Sequence, residues 1–218
     1  MPIKGAIFDM DGTLTESMHV WIEIGPRYVK RALGVNPTDK EKRDMRGMMM
    51  EDLGEYIVKT YKPFLTEEDV MEGIDRMTET VYFHEAKPKP YVKATLEMLK
   101  EAGVKMCVAT ATDLYLTEAC LKRNEIYEYF GKIFTCRDYH TTKYGPDLFL
   151  EAGNYLGTEK EETYVFEDTL SSIKGAKMAG FPVIAVADRW QKRNRGEIIN
   201  TADFFLDSLR DFKKLNLL

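Results

Sequence analysis

Two aspartates near the start of the chain, Asp9 and Asp11, are the first residues whose type and spacing could do chemistry. They follow an apolar run at 5–8 that is short enough for a buried strand, and buried carboxylates are costly unless something binds them. Gly12 and Thr13 then supply a bendable, donor-rich turn that suits an anion. Two carboxylates beside an anion favour Mg²⁺, a hard cation that prefers oxygen ligands. An ordinary polar turn or a surface calcium loop stays an alternative.

Polar groups also follow later apolar runs. They are the hydroxyl and amide donors of Thr110, Ala111 and Thr112 and the side chains of Lys143, Glu167 and Asp168. Ligands of open parallel sheets bind at the carboxyl ends of the strands, so these groups are expected at one edge. Each has an ordinary alternative: a strand-end hydroxyl for Thr110, a solvated charge for Lys143, and a helix N-cap for the acidic pair. Their occurrence together, in a consistent order, favours a single site.

The elements that would position these residues alternate between strand and helix after residue 87. Strands are predicted at 104–109, 132–135, 163–166, 182–186 and 204–206, with helices at 91–102, 116–124, 146–156, 171–179 and the C-terminus. This alternation favours βαβ units. The predicted fold class is therefore α/β, a Rossmann-like parallel sheet with helices on both faces, to which the first strand also belongs.

Residues 16–86 differ, because apolar residues recur there at helical spacing without strand alternation. Lys62-Pro63 is predicted to end one helix, since proline cannot continue it. We therefore predict a core domain of 1–15 and 87–218, with 16–86 as an inserted bundle of about four helices. The segment Lys87-Pro88-Lys89-Pro90 returns the chain to the core, because its prolines exclude helix.

The stretch Asp9-Met10-Asp11-Gly12-Thr13-Leu14-Thr15 resembles the signature of the haloacid dehalogenase-like hydrolases. The later segments resemble the other motifs of that family in order: Thr110, then Lys143 before an apolar helix, then Glu167-Asp168 opening a helix of small residues. Tyr144 is a departure, because proline often follows the lysine in that family. The resemblance covers nearly the whole predicted sheet domain.

The resemblance implies Mg²⁺-dependent phosphoryl transfer, in which Asp9 becomes an aspartyl-phosphate and Asp11 acts as general acid and base. The implied catalytic residues are Asp9, Asp11, Thr110 and Lys143, and the implied metal ligands are Asp9, Asp11 through its carbonyl, Asp168, and Glu167 through a water. Substrate contacts are expected from Gly12, Thr13, Ala111 and Arg46.

The inserted bundle resembles the helical cap of the subgroup that contains β-phosphoglucomutase and phosphoglycolate phosphatase, where Arg46 matches a basic position. Four positions depart from the mutase. Met50 replaces an arginine, Asp113 and Leu114 replace a lysine and an asparagine that hold a second phosphate, and Trp21 replaces a hinge histidine. These departures favour a hydrolase of small phosphate monoesters over a sugar-phosphate mutase. A catalytically silent metabolite-binding protein is a further alternative, although it would not need both aspartates.

Composition sets the remaining expectations. The chain has 218 residues, 44% of them hydrophobic and 31% charged, with a net charge of -5. Without a basic excess we expect no nucleic-acid partner. No leader precedes the first strand and no apolar run reaches membrane-span length, so we expect a cytoplasmic protein without a membrane partner. The expected partner is a small phosphorylated metabolite, and a monomer is favoured because a cap would close the site without a second subunit.

Three further groups of residues are interpreted as structural. Cys107, Cys120 and Cys136 are odd in number and form no C-x-x-C pair, so we interpret them as reduced packing residues. The methionines at 45–50 are interpreted as packing between helices rather than as a substrate lining. The basic stretch at 189–195 is interpreted as a solvated loop.

Overall fold

A computed structural model describes residues 1–46, 48, 50–61 and 64–218 and contains one six-stranded sheet. The strands are β1 Gly5–Phe8, β2 Lys105–Thr110, β3 Ile133–Thr135, β4 Thr163–Glu167, β5 Val183–Val186 and β6 Phe204–Leu206. They lie in the order β3-β2-β1-β4-β5-β6, and every neighbouring pair is parallel. The predicted α/β fold with a parallel sheet is confirmed.

The chain divides into two compact units, one of Met1–Glu16 with Ala86–Leu218 and one of Ser17–Glu85, which we call the sheet unit and the helical unit. The helices of the helical unit are α1 Met18–Ala32, α2 Asp39–Met45, α3 Met50–Tyr61 and α4 Glu67–Thr80. Those of the sheet unit are α5 Val92–Glu101, α6 Leu114–Arg123, α7 Asp147–Leu156, α8 Leu170–Met178 and α9 Arg195–Thr201. The role of the helical unit as a cap stays a prediction.

The central strand β1 is buried along its whole length, which explains why its sequence is continuously apolar rather than alternating. Its neighbours β2 and β4 flank it in register, so Phe8 pairs with Val108 on one side and Phe166 on the other. The rings of Phe8 and Phe166 stack with centroids 4.2 Å apart. This packing fixes the point at which β1 ends and Asp9 begins.

The helical unit is built from amphipathic helices with strong local start signals. α2 and α4 both begin with a capping box, formed by Thr38 with Glu41 and by Thr66 with Asp69. Met45 is buried beside Gly25, as packing between helices predicts, because a side chain at Gly25 would meet the Met45 sulfur at 3.1 Å. Of the other predictions here, Met49, the Met50 side chain and the helix end at Lys62-Pro63 lie outside the described residues.

The prediction of a solvated loop at 189–195 is wrong in part. Arg189–Gln191 forms a 3₁₀ turn, and Arg195 begins α9. The helix was missed because it is short, contains Gly196 and buries only Ile198 among its residues, so it shows no helical periodicity. Arg189 and Lys192 are exposed, as predicted.

The cysteines of the sheet unit are unpaired. Cys107 and Cys120 are buried and Cys136 is half-buried, which confirms their interpretation as packing residues. Burial raises the pKa of the Cys120 thiol to about 11, so the thiol stays protonated near neutral pH. Among the helices of the described residues, none combines the length and the apolar character needed to cross a membrane.

Candidate active site

The carboxyl ends of β1, β2 and β4 meet at one edge of the sheet because these strands are parallel neighbours in register. Asp9 follows β1, Thr110 ends β2, and Glu167 ends β4. The Asp9 amide donates to the Phe166 carbonyl at 2.9 Å, which continues the pairing of β1 and β4 into the site. The predicted convergence of the strand ends therefore follows directly from the sheet order.

Asp9 lies inside the protein, with 6% of its surface exposed. Its Oδ1 accepts a hydrogen bond from Lys143 Nζ at 2.5 Å, whereas its buried Oδ2 has no hydrogen-bond partner. Burial raises the pKa of the Asp9 carboxyl to about 7, with Lys143 opposing this rise and the charges of Glu167 and Asp11 adding to it. Asp11 is buried as well, so the alternative of a surface calcium loop is wrong.

Lys143 is the buried cation of the site. Only 5% of its surface is exposed, and its ammonium forms ion pairs with both Asp9 and Glu167, so the alternative of a solvated charge is wrong. Burial on its own lowers the pKa of Lys143, but the two adjacent carboxylates outweigh it and hold the pKa above the usual range. The side chain therefore remains positively charged.

Gly175 on α8 is a residue of this region that sequence reasoning did not single out. A Cβ atom there would lie 2.8 Å from the Gly145 carbonyl oxygen and would collide with the carbonyl of Lys143. The absence of a side chain thus lets α8 pack directly against the loop that carries Lys143. The small residues of this helix were noted in the sequence, but only the three-dimensional structure identifies which of them touches the site.

The two residues of the acidic pair at the end of β4, Glu167 and Asp168, differ in their hydrogen bonds. Glu167 Oε2 accepts hydrogen bonds from the amides of Asp168 at 2.7 Å and Thr169 at 2.9 Å. Both amides precede α8, whose N-cap residue is Thr169 and makes no side-chain cap, so the alternative of a helix N-cap for the acidic pair is wrong. Asp168 is buried, and neither of its carboxylate oxygens has a hydrogen-bond partner. Burial raises the pKa of Asp168 well above its ordinary value, and the charges of Glu167, Asp9 and Asp188 act in the same direction.

A metal ion fits the carboxylates of this site. Asp9, Glu167 and Asp168 each offer an oxygen within 4.8 Å of the others. Three of the oxygens of Asp9 and Asp168 are buried without a partner, which is costly in a protein unless a cation is bound. A donor set made only of carboxylate oxygens suits a hard divalent cation.

Thr112 orients Asp11, a contact that the sequence did not predict, since it indicated Thr112 only as a donor to phosphate. Its hydroxyl donates to Asp11 Oδ2 at 2.5 Å. The Thr112 amide donates to Thr110 Oγ1 at 3.1 Å, which leaves the hydroxyl hydrogen of Thr110 available to a ligand. Ala111, between them, is exposed. The sequence contained the signal, since the threonines flank one residue at the end of an apolar run.

Gly12 and Thr13 shape the loop that follows Asp11. Gly12 adopts a φ of 91°, which favours glycine, and its amide donates to the Thr15 carbonyl at 2.9 Å. The Thr13 amide donates to the Met10 carbonyl at 3.4 Å, while its buried hydroxyl oxygen has no partner. Both amides are thus engaged within the loop, and a contact of these residues with substrate stays a prediction.

Arg46 belongs to the helical unit, where it follows α2. Its guanidinium lies 3.7 Å from Glu23 Oε1, and 45% of its side chain is exposed. A weak, exposed pair of this kind leaves the charge accessible to an anion. Its predicted contact with substrate stays a prediction.

The parallel sheet and its edge of buried carboxylates describe an α/β fold with a candidate metal site. The family model of the haloacid dehalogenase-like hydrolases matches residues 6–186, and the chain belongs to this family. The family assignment made from the sequence motifs is therefore confirmed, and the protein is a hydrolase-type enzyme.

Relatives agree with this assignment. The chain is 25% identical to a phosphorylated carbohydrates phosphatase of Thermotoga maritima over 82% of both chains. It is 26% identical to the pyrophosphatase PpaX of Bacillus cereus, over 97% of this chain and 95% of that protein. Its fold matches a Thermotoga maritima protein provisionally named beta-phosphoglucomutase, with a TM-score of 0.86, 21% identity and coverage of 98% and 99%.

Proposed function

We propose that the protein is a Mg²⁺-dependent phosphatase of small phosphorylated metabolites that acts through an aspartyl-phosphate on Asp9. One observation carries the proposal: Asp9 is buried beside a cation, Lys143, while its second carboxylate oxygen and both oxygens of Asp168 have no partner. A nucleophile next to buried carboxylate oxygens without hydrogen-bond partners suits metal-assisted in-line phosphoryl transfer. The named activities of the relatives, a phosphorylated carbohydrates phosphatase and a pyrophosphatase, support the reaction class.

The two aspartates of the first motif have separate roles in this proposal. Asp9 attacks the phosphorus atom of the monoester while the bond from phosphorus to the leaving oxygen breaks, and Asp11 donates a proton to that oxygen. Asp11 then accepts the proton of the water that attacks the aspartyl-phosphate, which releases inorganic phosphate and regenerates Asp9. The hydrogen bond from Thr112 supports these roles by holding the Asp11 carboxylate in one orientation.

The metal in this proposal is held by Asp9, Asp168 and the backbone carbonyl of Asp11. Mg²⁺ bound there would offset the repulsion between the Asp9 carboxylate and the substrate phosphate. Glu167 is not a direct ligand in this proposal, because its carboxylate is already bound by Lys143 and by the amides of Asp168 and Thr169. Its role is then to orient Lys143 and the start of α8, with a water between it and the metal.

Phosphate oxygens would be held by the Thr110 hydroxyl, the Ala111 amide and the Lys143 ammonium. Thr110 suits this role because its oxygen already accepts a hydrogen bond, which leaves the hydroxyl to donate. The exposed position of Ala111 at the end of β2 leaves room for an anion. Donors fixed in advance stabilise the charge that develops in the transition state.

A sugar-phosphate mutase is less well supported. Asp113, at a position where the resemblance called for a cation, is a carboxylate paired with Arg137 at 2.9 Å. Trp21 stands where the mutase has a hinge histidine, and an indole only donates a hydrogen bond, here to the Tyr82 hydroxyl at 2.8 Å, so it cannot transfer protons as an imidazole does. These residues favour one phosphate per substrate. The helical unit is proposed to act as the cap that contacts the rest of the substrate.

The test is a panel of phosphate monoesters assayed with Mg²⁺ and with EDTA, combined with mass spectrometry of acid-quenched reactions. We expect metal-dependent release of phosphate and one phosphoryl group on the peptide that contains Asp9. Asp138→Asn, an exposed substitution in the same unit, is the matched control and should keep both signals, whereas Asp9→Asn should lose both. Turnover by Asp9→Asn, or a phosphoryl group on another residue, would overturn the mechanism. Inactivity on the whole panel would instead favour a metabolite-binding protein.

A further inference from the structure

Lys89 is a nearly buried lysine that the proposed reaction does not use. It lies in the Lys87-Pro88-Lys89-Pro90 segment, and 13% of its side chain is exposed. Its ammonium donates to the Gly12 carbonyl at 2.6 Å, to the Ala187 carbonyl at 2.7 Å and to Asp188 Oδ2 at 3.2 Å. An ammonium has three donors, and these contacts use all of them.

The acceptors of Lys89 lie on two separate parts of the sheet edge. Gly12 lies in the loop Asp9–Thr15, which is the catalytic loop of the proposed reaction, whereas Ala187 and Asp188 follow β5. The Lys89 ammonium therefore links the catalytic loop to the end of β5 through hydrogen bonds. The hydrogen bond to Gly12 falls on the one loop residue with a positive φ, where the backbone has the most freedom to move.

The backbone of the same segment also binds the catalytic loop. The Lys89 amide donates to the Leu14 carbonyl at 2.9 Å, and Pro88 forms an antiparallel bridge with Thr15. Lys89 thus contacts the loop twice, once through its main chain and once through its side chain. The prolines on either side restrict this segment to extended structure, which holds Lys89 in place before the contacts form.

Asp188 is itself fixed. Its Oδ1 accepts from the Trp190 amide at 2.9 Å, its Oδ2 accepts from Lys89, and only 8% of its side chain is exposed. The 3₁₀ turn Arg189–Gln191 supplies the Trp190 amide. Without Lys89, the nearly buried carboxylate of Asp188 would have no neutralising cation. Its negative charge would then repel the Asp168 carboxylate more strongly, and it already raises the pKa of Asp168.

We infer that Lys89 is a positioning residue for the reaction: it locks the Gly12 carbonyl, and thereby the Asp9–Thr15 loop, to the end of β5, and Asp188 holds its ammonium in place. The inference rests on the proposed function only for its catalytic consequence. The mechanical part, that the side chain of Lys89 restrains the loop, stands on the contacts alone.

The test compares Lys89→Met with Lys89→Arg and with Lys87→Met, an exposed lysine of the same segment. Hydrogen exchange of the metal-free protein is followed on the peptide that covers the Asp9–Thr15 loop, whose amides at 12–15 are hydrogen-bonded. Loss of a hydrogen bond to a charged group should speed exchange there by about 10-fold or more in Lys89→Met. Lys87→Met should match the unchanged protein, and Lys89→Arg should restore part of the protection.

The effect on catalysis is tested by measuring kcat and KM separately for the same variants. Lys89→Met should lower kcat about 10- to 100-fold with little change in KM, because a displaced catalytic loop costs rate more than binding. Asp188→Asn should weaken the effect of Lys89→Met in the double variant, since the two residues act through one contact. Unchanged loop exchange in Lys89→Met overturns the inference whatever the activity. Faster exchange in a protein without phosphatase activity would keep the restraint and count against the proposed function instead.

Discussion

The sheet unit and the helical unit differ in where they place charge. Among the described residues, the buried charged side chains all belong to the sheet unit, and they are Asp9, Asp11, Lys143, Glu167 and Asp168. Besides the tyrosines Tyr28 and Tyr82, the buried polar side chains described for the helical unit are those of Ser17 and Thr78, and none of them is charged at neutral pH. Its charges pair at the surface instead, as Lys59 does with Glu55. The sheet unit thus keeps several charged groups buried, which is unfavourable for folding but typical of a reaction site.

Helices α2 and α4 of the helical unit begin differently from α7 and α8 of the sheet unit. In the helical unit α2 and α4 are closed by capping boxes. In the sheet unit the N-cap residues of α7 and α8, Pro146 and Thr169, make no side-chain cap. The amides of Asp168 and Thr169, directly before α8, donate to Glu167 instead, which connects the approach to this helix with the site. Reciprocal side-chain caps thus mark the starts of α2 and α4, whereas contacts between residues far apart in the sequence, such as that of Lys143 with Asp9, position the groups of the catalytic edge.

Lys143→Met gives the largest test of this difference. It should lower kcat on the order of 10²–10³-fold through loss of a fixed donor. It should also destabilise the metal-free protein by about 3–5 kcal/mol, because it leaves buried carboxylates unpaired. Lys59→Met, which removes a surface pair of the helical unit, should change neither. Steady-state kinetics and urea unfolding measure the two effects. Equal effects of the two substitutions would show that burial does not distinguish the units.

The same difference explains what the sequence could predict. The pattern Thr66-Glu67-Glu68-Asp69 predicts a helix start, and α4 begins there because the signal is local. The continuous apolar run of β1 likewise predicts a buried strand, and the residues after the strands indicate the site. Sequence order does not encode lateral contacts between loops. The hydrogen bond from Thr112 to Asp11 and the approach of Gly175 to the Lys143 loop therefore emerge only from the packed structure.

The metal-free protein should lose stability as the pH rises from about 4 to about 7, the window between the ordinary pKa of Asp9 and its raised value. The folded protein binds more protons than the unfolded chain there, because the pKa values of Asp9 and Asp168 are both raised, so the free energy of unfolding falls. The part due to Asp9 reaches up to about 4 kcal/mol, since one pKa unit is worth about 1.4 kcal/mol. Urea unfolding in EDTA at several pH values measures it.

Asp9→Asn should flatten this pH dependence and raise the stability of the metal-free protein above pH 7, since a neutral amide replaces a buried charge. Added Mg²⁺ should stabilise the unchanged protein most above pH 7, where the carboxylates are ionised. Asp138→Asn, at an exposed site, should leave the curve as it is. A slope in Asp9→Asn equal to that of the unchanged protein would contradict the assignment of the buried charge to Asp9.

Gly175→Ala tests whether close packing positions the buried cation. The added Cβ would meet backbone oxygen atoms of Lys143 and Gly145, which cannot rotate away, so the loop should shift. We expect a loss of about 1–3 kcal/mol in stability, as for other overpacked sites, and about a 10-fold lower kcat. Gly196→Ala in α9 is the control, since a Cβ there meets nothing within 4 Å and alanine favours helix. Full activity in Gly175→Ala would remove the link between α8 and Lys143.

Arg46→Ala tests whether the helical unit contributes to substrate binding rather than to the chemical step. If the sheet unit supplies the chemistry and the helical unit contacts the substrate, removing this half-exposed guanidinium should raise KM several-fold while kcat stays within about 2-fold. Its pair with Glu23 is exposed and weak, so stability should not change. Arg43→Ala on the exposed surface of α2 is the matched control. A fall in kcat with an unchanged KM would place Arg46 with the reacting groups, and the division of labour between the two units would then fail.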